Sequence, residues 1–340
     1  MPDARAADVH PICAQMQEEA QKMSVQIDAA VGFVCDMWEV MDAKGSPRTV
    51  MVGKPRAIDF SFRSWGNSDF LLLGEVHDNG HHHTLRRNII ETIKSSHDLG
   101  TFSKGLVFEH IRADQQPALD TFAEFNAKAR RLGNSGDLFR FLDWDKSGWP
   151  DKKIFEPLFS TAINARLPIL PGDPPRERVR AIAKGGAAAL TDEERQRFKL
   201  DQPLEPKLQD ALLDDLEASH CGLMPKTAFG GMAMAQRYRD AHLADALAEA
   251  AGKHGAAILL AGNGHVRKDR GVPYYLQQMA PNRKVVSVML LEVEDGKNDP
   301  QAYIPRDPDG KPAVDYILFT PRAERKDPCA EMRERFGRKK

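Results

Sequence analysis

Asp69-Phe70-Leu71-Leu72-Leu73-Gly74-Glu75-Val76-His77 is the stretch whose reading decides the fold. Four consecutive apolar residues that stop at a glycine mark a short strand buried on both faces. The residues after it are polar and chemically able. If the chain stays extended through Glu75 and His77, both side chains point to the same side, because side chains alternate along a strand. His81-His82-His83 follow, and His81 to His97 reads as a helix with Leu85, Ile89, Ile90 and Ile93 on one stripe.

The same alternation repeats along the chain. Gly105 to Phe108 is a second buried strand, ending at Glu109 and His110. Asp114 to Leu132 reads as a helix, with Asp114 at its N-cap. Leu167 to Leu170 is a third strand, closed by a turn at Pro171-Gly172-Asp173-Pro174-Pro175. Phe229 to Ala251 is a long helix, and Ala256 to Leu260 a strand that breaks at Gly262-Asn263-Gly264. A short helix over Gly271 to Ala280 and late strands over Lys284 to Glu292 and Ala313 to Thr320 complete the series. Strands alternating with helices predict an α/β fold, a mainly parallel sheet flanked by helices. Residues 176–224 are charged and poor in β-branched residues, so they predict a small helical subdomain inserted between the core segments 51–175 and 225–320. Residues 1–50 read as a helical or irregular lead-in, and 321–340 as a basic tail.

Composition excludes several classes. The net charge of −1 offers no global attraction to nucleic acid or to an anionic membrane. No apolar run approaches the ~20 residues a spanning helix needs. Met1 to Gln15 lacks a basic segment leading into an apolar one. A soluble chain is expected, cytoplasmic as written, and periplasmic or surface-anchored if a leader preceded Met1. Cys13, Cys35, Cys221 and Cys329 form no CxxC pair and no CxxCH haem attachment, and their spacing suggests no disulfide framework.

In open α/β sheets, ligands bind beyond the carboxyl ends of the strands. Three strand ends here carry polar residues. Glu75 and His77 can hold a metal or act as an acid–base pair. Of the following histidines, His82 or His83 is expected to reach the same point. Glu109, directly after an apolar run, is costly to bury without a partner and is favoured over His110 because it leaves the strand first. Gly262-Asn263-Gly264-His265 permits a tight turn and close backbone approach, with His265 over the sheet edge. On the long helix, Gln236 and Asp240 interrupt an apolar stripe of Phe229, Met232, Leu243 and Leu247, and Arg239 is a candidate partner for them.

Five blocks in order resemble a known family. Leu71 to His83 resembles the ChaN-like signature, in which a strand runs into Gly-Glu-x-His and a His pair. Glu109 with Gln115-Gln116-Pro117 resembles its second block, and Trp149, Phe155 to Leu158 and Ala165-Arg166 its third. Ala235 to Asp240 resembles its Ala-Gln-x-x-Arg-Asp helix, and Ala261 to Arg267 with Gly271-Val272-Pro273 its last. The resemblance implies haem or iron handling within the Tiki/erythromycin-esterase superfamily, with an α/β core and a helical subdomain.

Two readings follow. In the first the chain binds haem, held at the strand ends beside the helical subdomain, and its iron takes axial His or Tyr ligands. His220, Tyr238, Tyr274 and Tyr275 are then candidate ligands, with His82, His83, Gln236, Arg239, Asp240 and Asn263 as further cofactor contacts. In the second, Glu75, His77, Glu109 and His265 hold a divalent metal, and Glu75, His77 and His265 are the catalytic groups of a hydrolase, a Tiki-like peptidase or an erythromycin-esterase-like enzyme. No Gly-x-Ser-x-Gly elbow supports a serine hydrolase, and no Gly-x-Gly-x-x-Gly follows an early strand. The expected partner is haem or another small molecule, and a second copy of the chain is a candidate partner.

Overall fold

The computed structural model describes residues 32–35, 38–41, 47–50, 65–95, 104–128, 133–297 and 300–337. Nine strands and ten helices occur among them. The strands are β1 (Gly32–Cys35), β2 (Trp38–Met41), β3 (Pro47–Val50), β4 (Phe70–Leu73), β5 (Lys104–Arg112), β6 (Ile169–Asp173), β7 (Ala256–Leu260), β8 (Val285–Glu292) and β9 (Tyr316–Thr320). The helices are α1 (Gly80–Ser95), α2 (Gln116–Lys128), α3 (Ser135–Phe141), α4 (Lys152–Asn164), α5 (Arg176–Gly185), α6 (Asp192–Arg197), α7 (Pro206–Ser219), α8 (Gly230–His254), α9 (Val272–Met279) and α10 (Pro328–Gly337).

The main sheet has the order β1-β9-β8-β4-β7-β5-β6 and every pairing in it is parallel. The α/β expectation is therefore met. β2 and β3 form a separate antiparallel pair. The expected lead-in over 1–50 lies outside the described residues except for these three short strands.

Alternation along the strands divides the core into two layers. Leu71, Leu73, Leu106, Phe108, Ile258 and Leu260 face α1, α2 and α4. Phe70, Leu72, Val107, Ala257 and Leu259 face α8 and α9. Both layers are nearly free of water, which is the main source of folding free energy for a sheet of this kind. β7 leads into α9 on one face, while its neighbours β4 and β5 lead into α1 and α2 on the other. The helices diverge there and leave a crevice at the carboxyl ends, the ordinary ligand position in such sheets. Register puts these ends level, with Leu73 beside Leu260 and Leu260 beside Phe108.

Several boundaries differ from the sequence reading. β5 does not stop at Phe108 but continues to Arg112, so Glu109 and His110 are both strand residues with opposite directions. β6 runs through Pro171 and Gly172 to Asp173 instead of turning there. It is an edge strand, where a missing N–H costs no ladder bond. Asp114 is not an N-cap: it sits inside a 3-10 turn, Ala113–Gln115, and pairs with Arg112. Residues 176–224 contain α5, α6, α7 and connecting turns beside the sheet. Cys221, just past α7, forms a disulfide with Cys329 at the start of α10, which no spacing in the sequence suggested. No helix among the described residues is long and apolar enough to cross a membrane.

Candidate functional site

Glu75 leaves β4 on the face covered by α1 and α4, and its carboxylate is fully buried. His77 Nδ1–H and His110 Nε2–H both donate to Oε1, each at 2.7 Å. The Arg86 guanidinium pairs with Oε2. The hydrogen bonds fix the tautomers of the histidines around it. His83 Nε2–H donates to the His77 carbonyl at 2.9 Å, so His83 Nδ1 is an acceptor and takes an N–H of Arg86 at 2.6 Å. Burial holds His83 neutral, with its pKa down at about 4. His110 is likewise pushed well below the ordinary range, first by burial and then by the Arg86 charge. Its ring lies among Trp149, Phe155 and Trp144, with centroids 4.7, 4.9 and 6.3 Å away.

Glu109 points to the opposite face, towards α8. Its Oε1 accepts from Arg239 at 2.7 Å and lies 3.2 Å from His265 Nε2, while Oε2 accepts the Gly262 N–H at 2.7 Å. His265 Nδ1–H donates to Asp240 at 2.6 Å, and Arg239 also donates to Asp173 at 2.7 Å. Burial alone would lower the His265 pKa. The carboxylates of Glu109 and Asp240 override it and raise the value to about 10, so His265 is an imidazolium. Burial would raise the pKa of Glu109, but His265 and Arg239 hold it well below the usual carboxylate range.

The two groups meet at Gly262. A Cβ there would fall 2.9 Å from His77 Cε1, 3.0 Å from His77 Nε2 and 3.6 Å from Glu109 Oε2. Only glycine fits this approach. All four residues first read as metal ligands thus reach one sheet edge, but they divide into two hydrogen-bonded sets. Glu75, His77 and His110 bring their ligand atoms within 4.8 Å of one another. His265 has both ring nitrogens against carboxylates. His77 Nε2 remains as a lone pair facing the crevice, with the His77 side chain 38% exposed.

The other candidates fall elsewhere. His82 is buried, accepts the Val76 N–H at 2.8 Å and donates to Thr320 at 2.8 Å, so it anchors β4 to β9. Asn263 braces β8 by bonding the Leu290 backbone. Gln236 bonds Asp240, whose main partner is His265 and not Arg239. Tyr238 and Tyr275 are buried with their hydroxyls bonded to Glu194 and Arg237. Tyr274 stacks edge-on against Tyr275 at 5.1 Å. His220 caps α7 and rests on Phe229, with ring centroids 4.9 Å apart. Met232 was read as part of the apolar stripe of α8, but it is 36% exposed. Arg86 was missed. It sits three and four residues before Ile89 and Ile90, on the stripe of α1, and a charge there was the available signal.

A cavity of about 750 Å³ lies past the ends of β5 and β6, lined by Arg112, Phe141, Leu142, Arg176 and Arg180 among others. It contains neither His nor Tyr.

The ChaN of Campylobacter jejuni, a structure of cofacial haem binding, superposes with a TM-score of 0.57 at 21% identity, over 79% of this chain and 96% of that one. An erythromycin esterase in its open conformation gives 0.41 at 15%, over 72% and 74%. The type III effector HopBA1 gives 0.41 at 12%, over 77% and 92%. Only the first is near enough to speak for the fold. No curated protein matches the sequence significantly. The family model for haem-binding uptake proteins of the Tiki superfamily, ChaN, matches residues 62–276, which is more than half of the chain. The chain therefore belongs to the ChaN haem-binding uptake family of the Tiki superfamily.

Proposed function

We propose that this chain binds haem through His220, on the helical subdomain and not at the strand ends. The observation that carries the reading is the hydrogen bonding of that ring. His220 Nδ1–H donates to the Leu216 carbonyl at 2.7 Å, which leaves Nε2 as the lone pair. A backbone carbonyl on Nδ1 is the usual way an imidazole is oriented for a metal at Nε2. Leu223 and Met232, 38% and 36% exposed, are the exposed large hydrophobics among the described residues. Leu223 is bonded to the His220 carbonyl, and Met232 lies one turn beyond Phe229. An apolar surface beside a free imidazole nitrogen suits a porphyrin face.

Tyr238 and Tyr275 would each have to leave a buried hydrogen bond to reach iron. His77 Nε2 faces Gly262 and Glu109 across a narrow gap, a space for a proton, a water or a small group. The hydrolase reading retains one favourable observation: the Glu75–His77 dyad presents an oriented base to the crevice.

Hemin titration of the purified protein separates the readings. A saturable Soret shift with one hemin per chain, and no hydrolysis in a metal-supplemented peptidase and esterase screen, is the expected result. Hydrolysis abolished by Glu75→Gln/His77→Ala, with no saturable hemin binding, would contradict it.

A further inference from the structure

A metal-dependent hydrolase would need a divalent cation, and Glu75, His77 and His110 are the described residues grouped closely enough to hold one. Their surroundings do not fit it. Glu75 is already engaged: Oε1 takes two N–H groups and Oε2 is ion-paired with the Arg86 guanidinium. A metal at His77 Nδ1 and His110 Nε2 would displace the protons now on those atoms. For His110 the displaced proton would have to move to Nδ1, which is buried and has no partner among the described residues. Phe155 offers no acceptor there, and the indole N–H groups of Trp144 and Trp149 are donors that already serve Pro150 and His110 carbonyls. The metal-bound form would therefore bury an unsatisfied N–H.

Arg86 adds a charge argument. Its side chain is wholly buried, and Glu75 is its ion-pair partner among the described residues. Its Nε and Nη1 groups find no acceptor there either. A divalent ion on Glu75 would share one carboxylate with a fixed guanidinium, in a region too dry to screen the repulsion.

We propose that Arg86 takes the place of a metal in this cluster: it closes Glu75, His77 and His110 to divalent cations and keeps His77 Nε2 as a metal-free proton acceptor facing the crevice between β4 and β7. Arg86 is a positioning and specificity-determining residue in this account. It neutralises Glu75, which in turn holds the His77 Nδ1 proton and so directs the lone pair outward. His83 steadies it by accepting one of its N–H groups. The proposal is independent of where haem sits.

The test titrates the full chain with Co²⁺ alone, reading d–d absorbance, and with Zn²⁺ by calorimetry. Wild type should show no saturable one-to-one site that depends on His110. Arg86→Gln should bind Co²⁺ at least about tenfold more tightly, as expected when a buried like charge is removed. That gain should vanish in Arg86→Gln/His110→Ala, and Arg86→Lys, which keeps the charge, should stay closed. Saturable Co²⁺ binding by wild type that His110→Ala removes would overturn the proposal. So would a folded Arg86→Gln with unchanged Co²⁺ affinity. If Arg86→Gln does not fold, the comparison of wild type with His110→Ala still decides, since wild-type binding there refutes the proposal and its absence supports it.

Discussion

The two faces of the sheet use the same residue types and reach opposite protonation states. On the α1 side one carboxylate, Glu75, serves two histidines and an arginine, and the histidines are neutral. On the α8 side three carboxylates, Glu109, Asp240 and Asp173, surround one histidine and one arginine, and His265 is charged. Burial penalises charge on both sides. What decides is how many carboxylates each imidazole meets. A neutral histidine can accept a proton or ligate an atom. An imidazolium held between two carboxylates can do neither, so of the two histidines His77 is the one left able to accept a proton.

The largest effect should come from breaking the buried pair. Glu75→Ala leaves Arg86 without its counter-ion and should cost about 3–5 kcal/mol in denaturant unfolding. Asp173→Ala, where Arg239 keeps Glu109, should cost less, about 2 kcal/mol. Equal losses would remove the distinction between the faces. Next in size is the covalent tie. Cys221→Ser/Cys329→Ser opens a link spanning 108 residues and should cost about 2–4 kcal/mol, read as a lowered Tm.

The pH dependence should divide the same way. His265 has its folded pKa raised to about 10, so its stabilisation is complete below the unfolded value near 6.5 and is lost as pH rises towards 10. His82 and His83 are lowered by burial to about 3 and about 4. They oppose folding as pH falls below 6.5, because the unfolded chain then binds protons that the folded chain refuses. Stability should peak near pH 6.5 and change by at most about 1.4 kcal/mol per pH unit for each proton. His265→Gln should flatten the alkaline limb alone. A variant that flattens both limbs would mean that the two groups titrate as one.

Much of this was legible in the sequence. Apolar runs ending at Gly74 and Gly262 gave the central strands, and Glu75, His77, Glu109 and His265 were all identified at one edge. The division between faces was not, because it depends on β5 continuing past Phe108. Once it does, alternation sends Glu109 and His110 to opposite layers, and choosing between them was the wrong question. The partner of Asp240 was also hidden, since His265 is 25 residues away and comes to it only through the turn after β7. The pairing of Cys221 with Cys329 carries no local pattern at all.

The most direct test of the functional reading sets the helical subdomain against the strand ends in one hemin titration. Wild type, His220→Ala and Glu75→Gln/His77→Ala should be followed through the Soret band and the ferric ligand spectrum. The account predicts that His220→Ala loses the histidine-ligated spectrum, while the double variant keeps it with affinity changed only modestly. A histidine-ligated spectrum unchanged in His220→Ala and lost in the double variant would contradict it and place the iron at His77.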